Sequence, residues 1–382
     1  MRKGWEYKKL GEVATFINGY AFKPDQWKES GTPIVRIQNL NNENAPYNYY
    51  DGEVPDKVKI QNGDLLISWS ASLGAYIWHG GNAFLNQHIF KVAFDKTDID
   101  KFFLKYAVTS KLAAMAEQVH GATMKHIVKK DFDNTQIPYP PLSTQLAIVS
   151  ELDKINELIR LKKEQLKDFD NLAQSLFYEM FGDPVENEKG WEVKKLGDNV
   201  KEMFLGPFGS ALKVDSYVPK EDSYCMVYEQ KHAIKKTINL ENHYINKEKF
   251  DGLQRFSVMP GDFIMTCRGT IGKLYQIPKG APLGIIHPSL MKIRLKENGY
   301  DSTYFQFMLT KIIANESTNG NCVQMAITAK ALGKKELPLP PLPLQRLFAQ
   351  RIEQIEREKS EVQKSIQDLE TLLASRMQYW FE

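Results

Sequence analysis

The chain has 382 residues, 42% of them hydrophobic and 25% charged, with a formal net charge of +3, which suffices for two domains with apolar cores. No apolar run is long enough to span a membrane and the start, MRKGWEYKKL, lacks a signal peptide's apolar segment, so a cytoplasmic protein is expected. Three isolated cysteines, an odd number, argue against a disulfide framework.

Short strands and turns are predicted for the first part of the chain. β-prone runs lie at 33–37 (PIVRI), 65–69 (LLISW), 75–78 (AYIW) and 88–94 (HIFKVAF). The turn Asn62-Gly63-Asp64 introduces the second of these runs. Asp98 or Asp100 then predicts the cap of a helix over 101–119 that ends at Gly121.

A long helix is predicted between a proline-rich segment and Gly182. Prolines at 138, 140 and 141 cannot lie inside it, Ser143 or Thr144 can cap it, and Gly182 can end it in a left-handed conformation. Its apolar residues recur at alternating spacings of four and three, which is typical of a coiled-coil seam. About 37 residues at 1.5 Å each predict a rod of about 55 Å that needs a partner.

The second half of the chain repeats the first. GWEVKKLGD at 190–198 matches GWEYKKLGE at 4–12, and PGDFIMT at 260–266 matches NGDLLIS at 62–68. Strands are predicted at 273–277 and 290–295, followed by a helix capped by Asp301 or Ser302. About twelve extra residues precede the second Gly-Asp turn, within 206–236, so the halves share a frame but differ in their early loops.

A second long helix, over 342–382, supplies the partner for the first. The seam residues that align between the two helices or continue their pattern are Leu152, Ile155, Ile159, Leu166, Phe169, Ala173, Ile352, Ile355, Val362, Ile366, Leu369 and Leu373. Lys162 and Lys359 interrupt the seam. Each either lays its stem along the apolar stripe with the ammonium in water or fixes the register of the pair. The second helix has no equivalent of Gly182-Asp183-Pro184, so its end is uncapped in sequence and is expected either to be finished by a partner or to fray.

Charge differs between the globular and helical segments. Basic and acidic side chains number 17 and 15 in residues 1–142, 6 and 10 in 143–189, 21 and 15 in 190–341, and 6 and 7 in 342–382. Basic globular segments and acidic helices are expected if the globular segments contact phosphates and the helices do not. Random variation in charge along the chain would give a similar result.

Catalytic motifs are not evident in the sequence. The seven histidines show no metal-ligand spacing, and neither a phosphate loop nor a nucleophile elbow is present. FLGPFG at 204–209 resembles a glycine-rich cofactor loop, but it does not join a strand to a helix. Tyr139-Pro140-Pro141 lacks the leading Asn or Asp of an amino-methyltransferase motif. Glu229-Gln230-Lys231 resembles part of a nuclease site, but the Pro-Asp pair of such a site does not precede it at a useful distance. Catalysis is therefore not expected on this chain.

Polar and aromatic loop residues suited to reading base edges and phosphates recur in both halves. The candidate DNA-binding residues are Lys23, Arg36, Gln38, Asn39, Trp69, Ser70, Ser72, Gln87, His88, Lys125, Lys213, Tyr228, Gln230, Arg268, Thr270, His287, Ser289, Gln324 and Lys330. Individually they have structural alternatives: Trp69 also fits the core, and Arg36 a solvated strand face.

The chain resembles the specificity subunit of type I restriction-modification systems. The likeness rests on two units that open with GWE-x-KKLG and close with a Pro-Pro-Leu-x-x-Gln segment and a long helix. The loop GPFGSALK at 206–213 is similar to one type of target-recognition domain in that family, and GYAFK at 19–23 to another.

The resemblance implies an α+β fold with a pseudo-twofold internal repeat. Two similar α/β target-recognition domains, 1–142 and 183–341, would be separated by two long helices, 143–182 and 342–382, that form an antiparallel coiled coil. Each domain would read one half of a split, asymmetric DNA target, and the helices would set the gap. This chain would be non-catalytic and hold no metal or cofactor.

The implied partners are double-stranded DNA, two methyltransferase subunits and restriction subunits, with no membrane. S-adenosylmethionine, ATP and magnesium would belong to those subunits. The alternatives are a specificity subunit of a related system with combined cleavage and methylation subunits, a chain that itself modifies DNA, and a coiled-coil scaffold without DNA affinity.

Overall fold

The computed structural model describes residues 5–42, 44–118, 127–318 and 327–382. The chain forms two compact units. The first unit contains the chain up to Glu164 together with Gln363–Glu382, and the second contains Gln165–Val362. Each unit therefore combines a globular part with a portion of both long helices.

Among the described residues of the first unit, ten strands form one two-stranded and two four-stranded sheets, in the orders β1-β10, β2-β9-β6-β7 and β4-β3-β8-β5. The strands are β1 (Glu6–Lys9), β2 (Thr15–Asn18), β3 (Thr32–Val35), β4 (Asn48–Tyr50), β5 (Lys59–Ile60), β6 (Leu65–Ser68), β7 (Gly74–Ile77), β8 (Ala83–Leu85), β9 (Ile89–Ala93) and β10 (Gln136–Tyr139). Neighbouring strands are antiparallel except β3 and β8, which are parallel.

The second unit repeats this topology strand for strand, in the orders β11-β20, β12-β19-β16-β17 and β14-β13-β18-β15, with β13 and β18 parallel. Its strands are β11 (Val193–Lys195), β12 (Val200–Leu205), β13 (Cys225–Tyr228), β14 (His243–Ile245), β15 (Ser257–Val258), β16 (Phe263–Thr266), β17 (Leu274–Gln276), β18 (Gly284–Ile286), β19 (Leu290–Leu295) and β20 (Glu336–Pro338). The repeat predicted from the sequence is thus confirmed in the sheets.

Helices connect and cover these sheets. They are α1 (Leu10–Val13), α2 (Ile37–Asn41), α3 (Lys101–Gln118), α4 (Lys129–Asn134), α5 (Leu142–Phe181), α6 (Leu196–Asn199), α7 (Gln230–Lys235), α8 (Lys247–Leu253), α9 (Ser302–Thr318), α10 (Ala329–Gly333) and α11 (Leu342–Phe381). The expected strand at 33–37 is shorter than predicted, because helix α2 begins at Ile37. Gly121, the expected end of α3, lies outside the described residues.

The Gly-Asp turns have the same construction in both units. Gly63 and Gly261 have φ values of +89° and +94°, in the left-handed region that favours glycine. The carboxylate of Asp64 accepts the N–H of Gln61 at 2.8 Å, and that of Asp262 accepts the N–H of Met259 at 2.8 Å. Each aspartate closes its own turn, which explains why this dipeptide precedes the central strand twice.

A buried glutamine fixes the start of each long helix. Gln145 accepts the N–H of Asp100 at 2.9 Å and donates to the carbonyl of Pro140 at 2.9 Å. Gln345 makes the equivalent bonds to Asp301 (2.8 Å) and Pro340 (2.7 Å). The glutamine of the Pro-Pro-Leu-x-x-Gln segment thus ties the long helix to the start of α3 or α9.

Helix capping follows the sequence in part. Asp100 accepts the N–H of Phe103 at 2.8 Å and Asp301 that of Thr303 at 2.9 Å, as predicted for α3 and α9. Helix α5 begins at Leu142, so Ser143 and Thr144 lie inside its first turn and the predicted cap is wrong.

The two long helices pair antiparallel within each unit. In the first unit, Arg376 hydrogen-bonds Glu151 and Lys163 contacts Glu370 at 2.8 Å. The seam side chains of this unit are buried or half-buried: Leu152, Ile155, Ile159, Ile366, Leu369 and Leu373.

In the second unit, the ring centroids of Phe177 and Phe348 lie 5.6 Å apart. The ammonium of Lys359 contacts Asp170 at 2.8 Å and Glu356 at 3.0 Å. The stem of Lys359 therefore lies along the seam while its charge is paired at the rim. The seam side chains of this unit are also buried or half-buried: Leu166, Phe169, Ala173, Ile352, Ile355 and Val362.

The end of α11 is closed by a residue of the chain's own first unit, and not by the partner that was expected as one alternative. The Lys111 ammonium donates to the carbonyl of Phe381 at 2.7 Å, and Phe381 is buried in the first unit's core. At the end of α5, Gly182 has a φ of +73° as predicted, and the indole N–H of Trp191 donates to the carbonyl of Phe181 at 2.8 Å.

Cys225 and Cys267 are buried free thiols, and burial raises their pKa to about 11 and about 12. Cys322 lies outside the described residues. Within the described ranges, none of the helices has the length and apolar character needed to cross a membrane.

Candidate nucleic-acid interface

Four segments of the first unit meet where strands of its two four-stranded sheets end. Parallel strands β3 and β8 end together there, and the N–H of Asn86 donates to the carbonyl of Val35 at 3.1 Å. The N–H of Gly19 donates to Ile89 (3.1 Å) and that of Trp69 to His88 (3.4 Å). We call these loops, 19–23, 36–42, 69–73 and 86–88, the first loop edge.

The second unit builds the same edge with equivalent bonds. The N–H of His287 donates to Tyr228 at 2.8 Å, that of Cys267 to Ser289 at 3.0 Å, and that of Gly206 to Leu290 at 2.8 Å. The second loop edge consists of residues 206–213, 229–235, 267–272 and 287–289. Most of the sequence-predicted DNA contacts fall on these two edges.

On the first loop edge, Lys23, Gln38 and Ser72 are exposed. Gln87 and His88 are half-buried, with Nε2 atoms 3.1 Å apart. These side chains offer donors and acceptors that can reach a base edge or a phosphate. Lys125 lies outside the described residues.

Arg36 is half-buried and already engaged. Its guanidinium donates to Asn48 Oδ1 at 3.0 Å and lies over the Trp27 ring, 5.0 Å from the centroid. Arg36 follows strand β3 and does not lie within it. The alternative that Arg36 lies on a solvated strand face is therefore wrong. Because a guanidinium has five N–H donors, donors beyond the one used for Asn48 can still bind a ligand.

Three predicted contacts of the first unit have structural positions instead. Asn39 is 3% exposed, accepts the N–H of Arg36 at 3.0 Å and donates to Ala45 at 3.2 Å, so this prediction is wrong. Ser70 is also buried. Trp69 is half-buried and packs against the core, stacked on Phe90 with centroids 5.5 Å apart.

On the second loop edge, Lys213, Arg268 and Thr270 are exposed. Among the residues that the structure describes, neither cation forms an ion pair, which leaves both available to a phosphate or a guanine. The half-buried Gln230 donates to the carbonyl of Arg268 at 3.0 Å and so joins two of the loops. Lys330 is exposed in α10, outside the edge as defined, and Gln324 lies outside the described residues.

Tyr228 and Ser289 do not face solvent. Tyr228 is fully buried and its hydroxyl donates to the carbonyl of Pro282 at 2.7 Å, so its prediction as a DNA contact is wrong. Ser289 is 9% exposed, with its hydroxyl 2.7 Å from His287 Nδ1. The hydrogen bond between these two side chains stabilises the segment 287–289 of the second loop edge.

The negative charge of Glu229 on the second loop edge is compensated by its neighbours. Burial alone would raise the pKa of Glu229, but hydrogen bonds from Lys231 (2.8 Å) and His243 (3.0 Å) outweigh it and lower the pKa. This carboxylate is thus charged but neutralised by its neighbours. Burial also lowers the pKa of His287, which keeps that ring neutral at pH 7.

Sequence reasoning missed the role of Phe208. It identified the loop at 206–213 by its resemblance to a family loop but assigned nothing to the phenylalanine, which is 88% exposed. The available signal was an aromatic residue in a turn-prone context, with Gly206-Pro207 before it and Gly209 after it.

Comparison with known proteins matches this repeated architecture. The family model described as the type I restriction modification DNA specificity domain matches the chain twice, over residues 2–168 and 188–371. The chain belongs to this family. It is a specificity subunit of a type I restriction-modification system with two target-recognition domains, which confirms the resemblance and the fold class predicted from the sequence.

Individual members of the specificity family are distant in sequence but match along nearly the whole chain. The EcoBI specificity subunit of Escherichia coli is 22% identical over 95% of this chain and 81% of its own length. The MjaVIII specificity subunit of Methanocaldococcus jannaschii is 23% identical over 97% of this chain and 92% of its own.

Solved structures share the fold of this specificity subunit. A chain from a study of complex assembly and conformational transition of the type I R-M system has a TM-score of 0.68 at 18% identity, covering 99% of this chain and 97% of its own. The S subunit from M. genitalium has a TM-score of 0.52 at 14% identity, with coverages of 99% and 96%.

Proposed function

We propose that this chain reads a split, asymmetric DNA target, with one loop edge for each half-site. The observation that carries the proposal is the repeated edge itself: the same backbone hydrogen bonds present four loops in each unit. The side chains on those loops differ. Two loop edges with the same backbone arrangement but different side chains suit a target whose two halves have different sequences.

The chemistry of the exposed side chains supports direct base readout. An arginine can pair with guanine through two hydrogen bonds, and a glutamine can do so with adenine. Arg268 and Gln230 supply this chemistry on the second loop edge, and Gln38 and Gln87 on the first. Lys23 and Lys213 suit phosphates, which position a duplex without reading it.

The long helices are the proposed docking surface for two methyltransferase subunits, which restriction subunits would join. Leucines that the seam does not bury are exposed on them, including Leu158 (48%), Leu161 (46%) and Leu172 (51%). Exposed apolar side chains on a charged helix are a common feature of partner surfaces. We further propose that the helix length sets the unspecified gap between the half-sites.

Methylation and cleavage are assigned to the partner subunits, together with S-adenosylmethionine, ATP and magnesium. Within the described parts of this chain, no group of three His, Cys, Asp or Glu side chains is placed to hold a metal ion. We propose that the chain's own role is to bind and position DNA.

Co-expression with the methyltransferase subunit, followed by methylome sequencing, tests the proposal. The expected result is methylation at one bipartite, asymmetric sequence, which disappears when this chain is omitted. Methyl transfer by the purified chain alone would instead support an enzyme. A complex whose salt-dependent DNA binding does not need this chain would support a scaffold.

Paired variants assign the half-sites. Gln38→Ala should relax one base position in one half-site and Arg268→Ala one position in the other, each by about 1–3 kcal/mol. Lys279→Ala, an exposed change outside the loop edges and the candidate contacts, is the control and should leave the motif unchanged. Loss at both half-sites in either loop variant would contradict the assignment of one edge to each half.

A further inference from the structure

The loop that carries Phe208 is longer than its counterpart in the first unit. Both loops begin at an anchored glycine: the N–H of Gly19 donates to Ile89 at 3.1 Å and that of Gly206 to Leu290 at 2.8 Å. Both end at a lysine, Lys23 or Lys213, that directly precedes a 3-10 turn. Three residues (20–22) separate glycine and lysine in the first unit, and six (207–212) do so in the second.

In the first unit the aromatic residue of this loop points inward. Phe22 is 7% exposed, and its ring centroid lies 4.9 Å from that of Tyr20 and 6.3 Å from that of Phe84. Phe22 therefore belongs to the core beneath the sheet. The short loop presents no large apolar side chain to the first loop edge at this place.

In the second unit the core position is taken by Leu212, which is 4% exposed among Cys225, Val227 and Ile285. The additional residues form a 3-10 turn, Gly209–Ala211, in which the N–H of Ala211 donates to the carbonyl of Phe208 at 2.8 Å. Phe208 precedes this turn and is 88% exposed. The extra length thus displays an aromatic side chain.

The turn is held at both ends, so its aromatic side chain has a defined position. Leu212 anchors one end in the core. At the other end Gly206 lies so close to the neighbouring loop that a Cβ there would fall 2.3 Å from the carbonyl oxygen of His287. A side chain displayed on a fixed turn loses little conformational freedom when it binds, which favours recognition.

We propose that Phe208 is a specificity-determining residue that packs against the apolar surface of a base in the half-site read by the second unit. This inference rests on the proposed function. The loop edge that carries Phe208 also carries Lys213 and Arg268, exposed cations that draw a duplex against it. Aromatic side chains in such places contact a thymine methyl group or the face of an unstacked base.

The test uses the full chain assembled with its methyltransferase subunits and a duplex that carries the bipartite site found by methylome sequencing. Phe208→Ser should weaken binding roughly tenfold to a hundredfold, in the range for loss of one aromatic contact with a base. Phe208→Leu should retain part of the affinity because it keeps an apolar surface. Leu283→Ser is the control: Leu283 is 43% exposed at the opposite end of strand β18, and its change should have no effect.

Modified duplexes distinguish the two base surfaces. If Phe208 contacts a thymine methyl, replacing one thymine by deoxyuridine should weaken wild-type binding and leave Phe208→Ser unaffected. If it contacts an unstacked base, 2-aminopurine at that step should fluoresce on binding of wild type but not of Phe208→Ser. The inference is overturned if Phe208→Ser binds and selects the site as wild type does. Failure of the wild-type complex to bind any bipartite site would instead refute the proposed function.

Discussion

Gln145→Leu should destabilise the first unit by about 2–4 kcal/mol. The side chain is 1% exposed, and its loss leaves the buried carbonyl of Pro140 and the partly buried N–H of Asp100 without their partner. A buried polar group left unpaired costs about 1–3 kcal/mol. Leucine is close to glutamine in size, so the expected loss comes from hydrogen bonding rather than from a cavity.

Urea unfolding followed by tryptophan fluorescence measures this effect. Five of the six tryptophans, at positions 5, 27, 69, 78 and 380, belong to the first unit. With a slope of about 2–3 kcal/mol per M, the midpoint should fall by about 1 M. Gln367→Leu, an exposed change on the part of α11 that belongs to the first unit, is the matched control and should stay within about 0.5 kcal/mol of wild type. Equal midpoints for the two variants would refute the role assigned to Gln145.

Three further outcomes are expected. The hydrogen bond from Lys292 is the largest effect that lowers the pKa of Glu202. The ionised Glu202 therefore stabilises the fold fully above its unfolded pKa of about 4.3, and this stabilisation disappears as the pH falls through the lower pKa of the folded state. Glu202→Gln should therefore be about 1–2 kcal/mol less stable at pH 7 and lose less stability between pH 5 and 3; a parallel shift at all pH values would contradict this. Lys111→Met removes the donor to Phe381 and should raise amide exchange in the last turn of α11 about fivefold, with unchanged exchange arguing against the cap. One heptad added to each long helix should lengthen the DNA gap by about three base pairs, and an unchanged gap in the methylome would exclude the helices as its determinant.

The frame of this protein was largely predictable from its sequence. The four-three spacing of Leu152, Ile155 and Ile159 predicted the helical seam, because burial of such a stripe requires a partner. The Gly-Asp turns predicted the central strands, because a positive φ before a strand favours glycine. These signals are local or periodic, so they do not depend on long-range packing.

The site was less predictable, because exposure is decided by tertiary packing. Tyr228 ends a strand that is buried on both faces, so its position next to a loop did not make it accessible. Asn39 is used as a local cap, a role that a polar side chain fills as readily as base contact. Phe208 is the opposite case, an apolar residue that is exposed. Three additional loop residues place its side chain in solvent, and no hydrophobicity pattern distinguishes such a position from a core position.

The division of the long helices between the compact units has a consequence for biosynthesis. The second unit is one continuous segment, Gln165–Val362, and all its residues are translated before the last twenty. The first unit needs Gln363–Glu382, including the buried Phe381, to complete its core. The amino-terminal globular part must therefore wait, incompletely packed, until Gln363–Glu382 has been translated, so the unit that is started first is completed after the second unit.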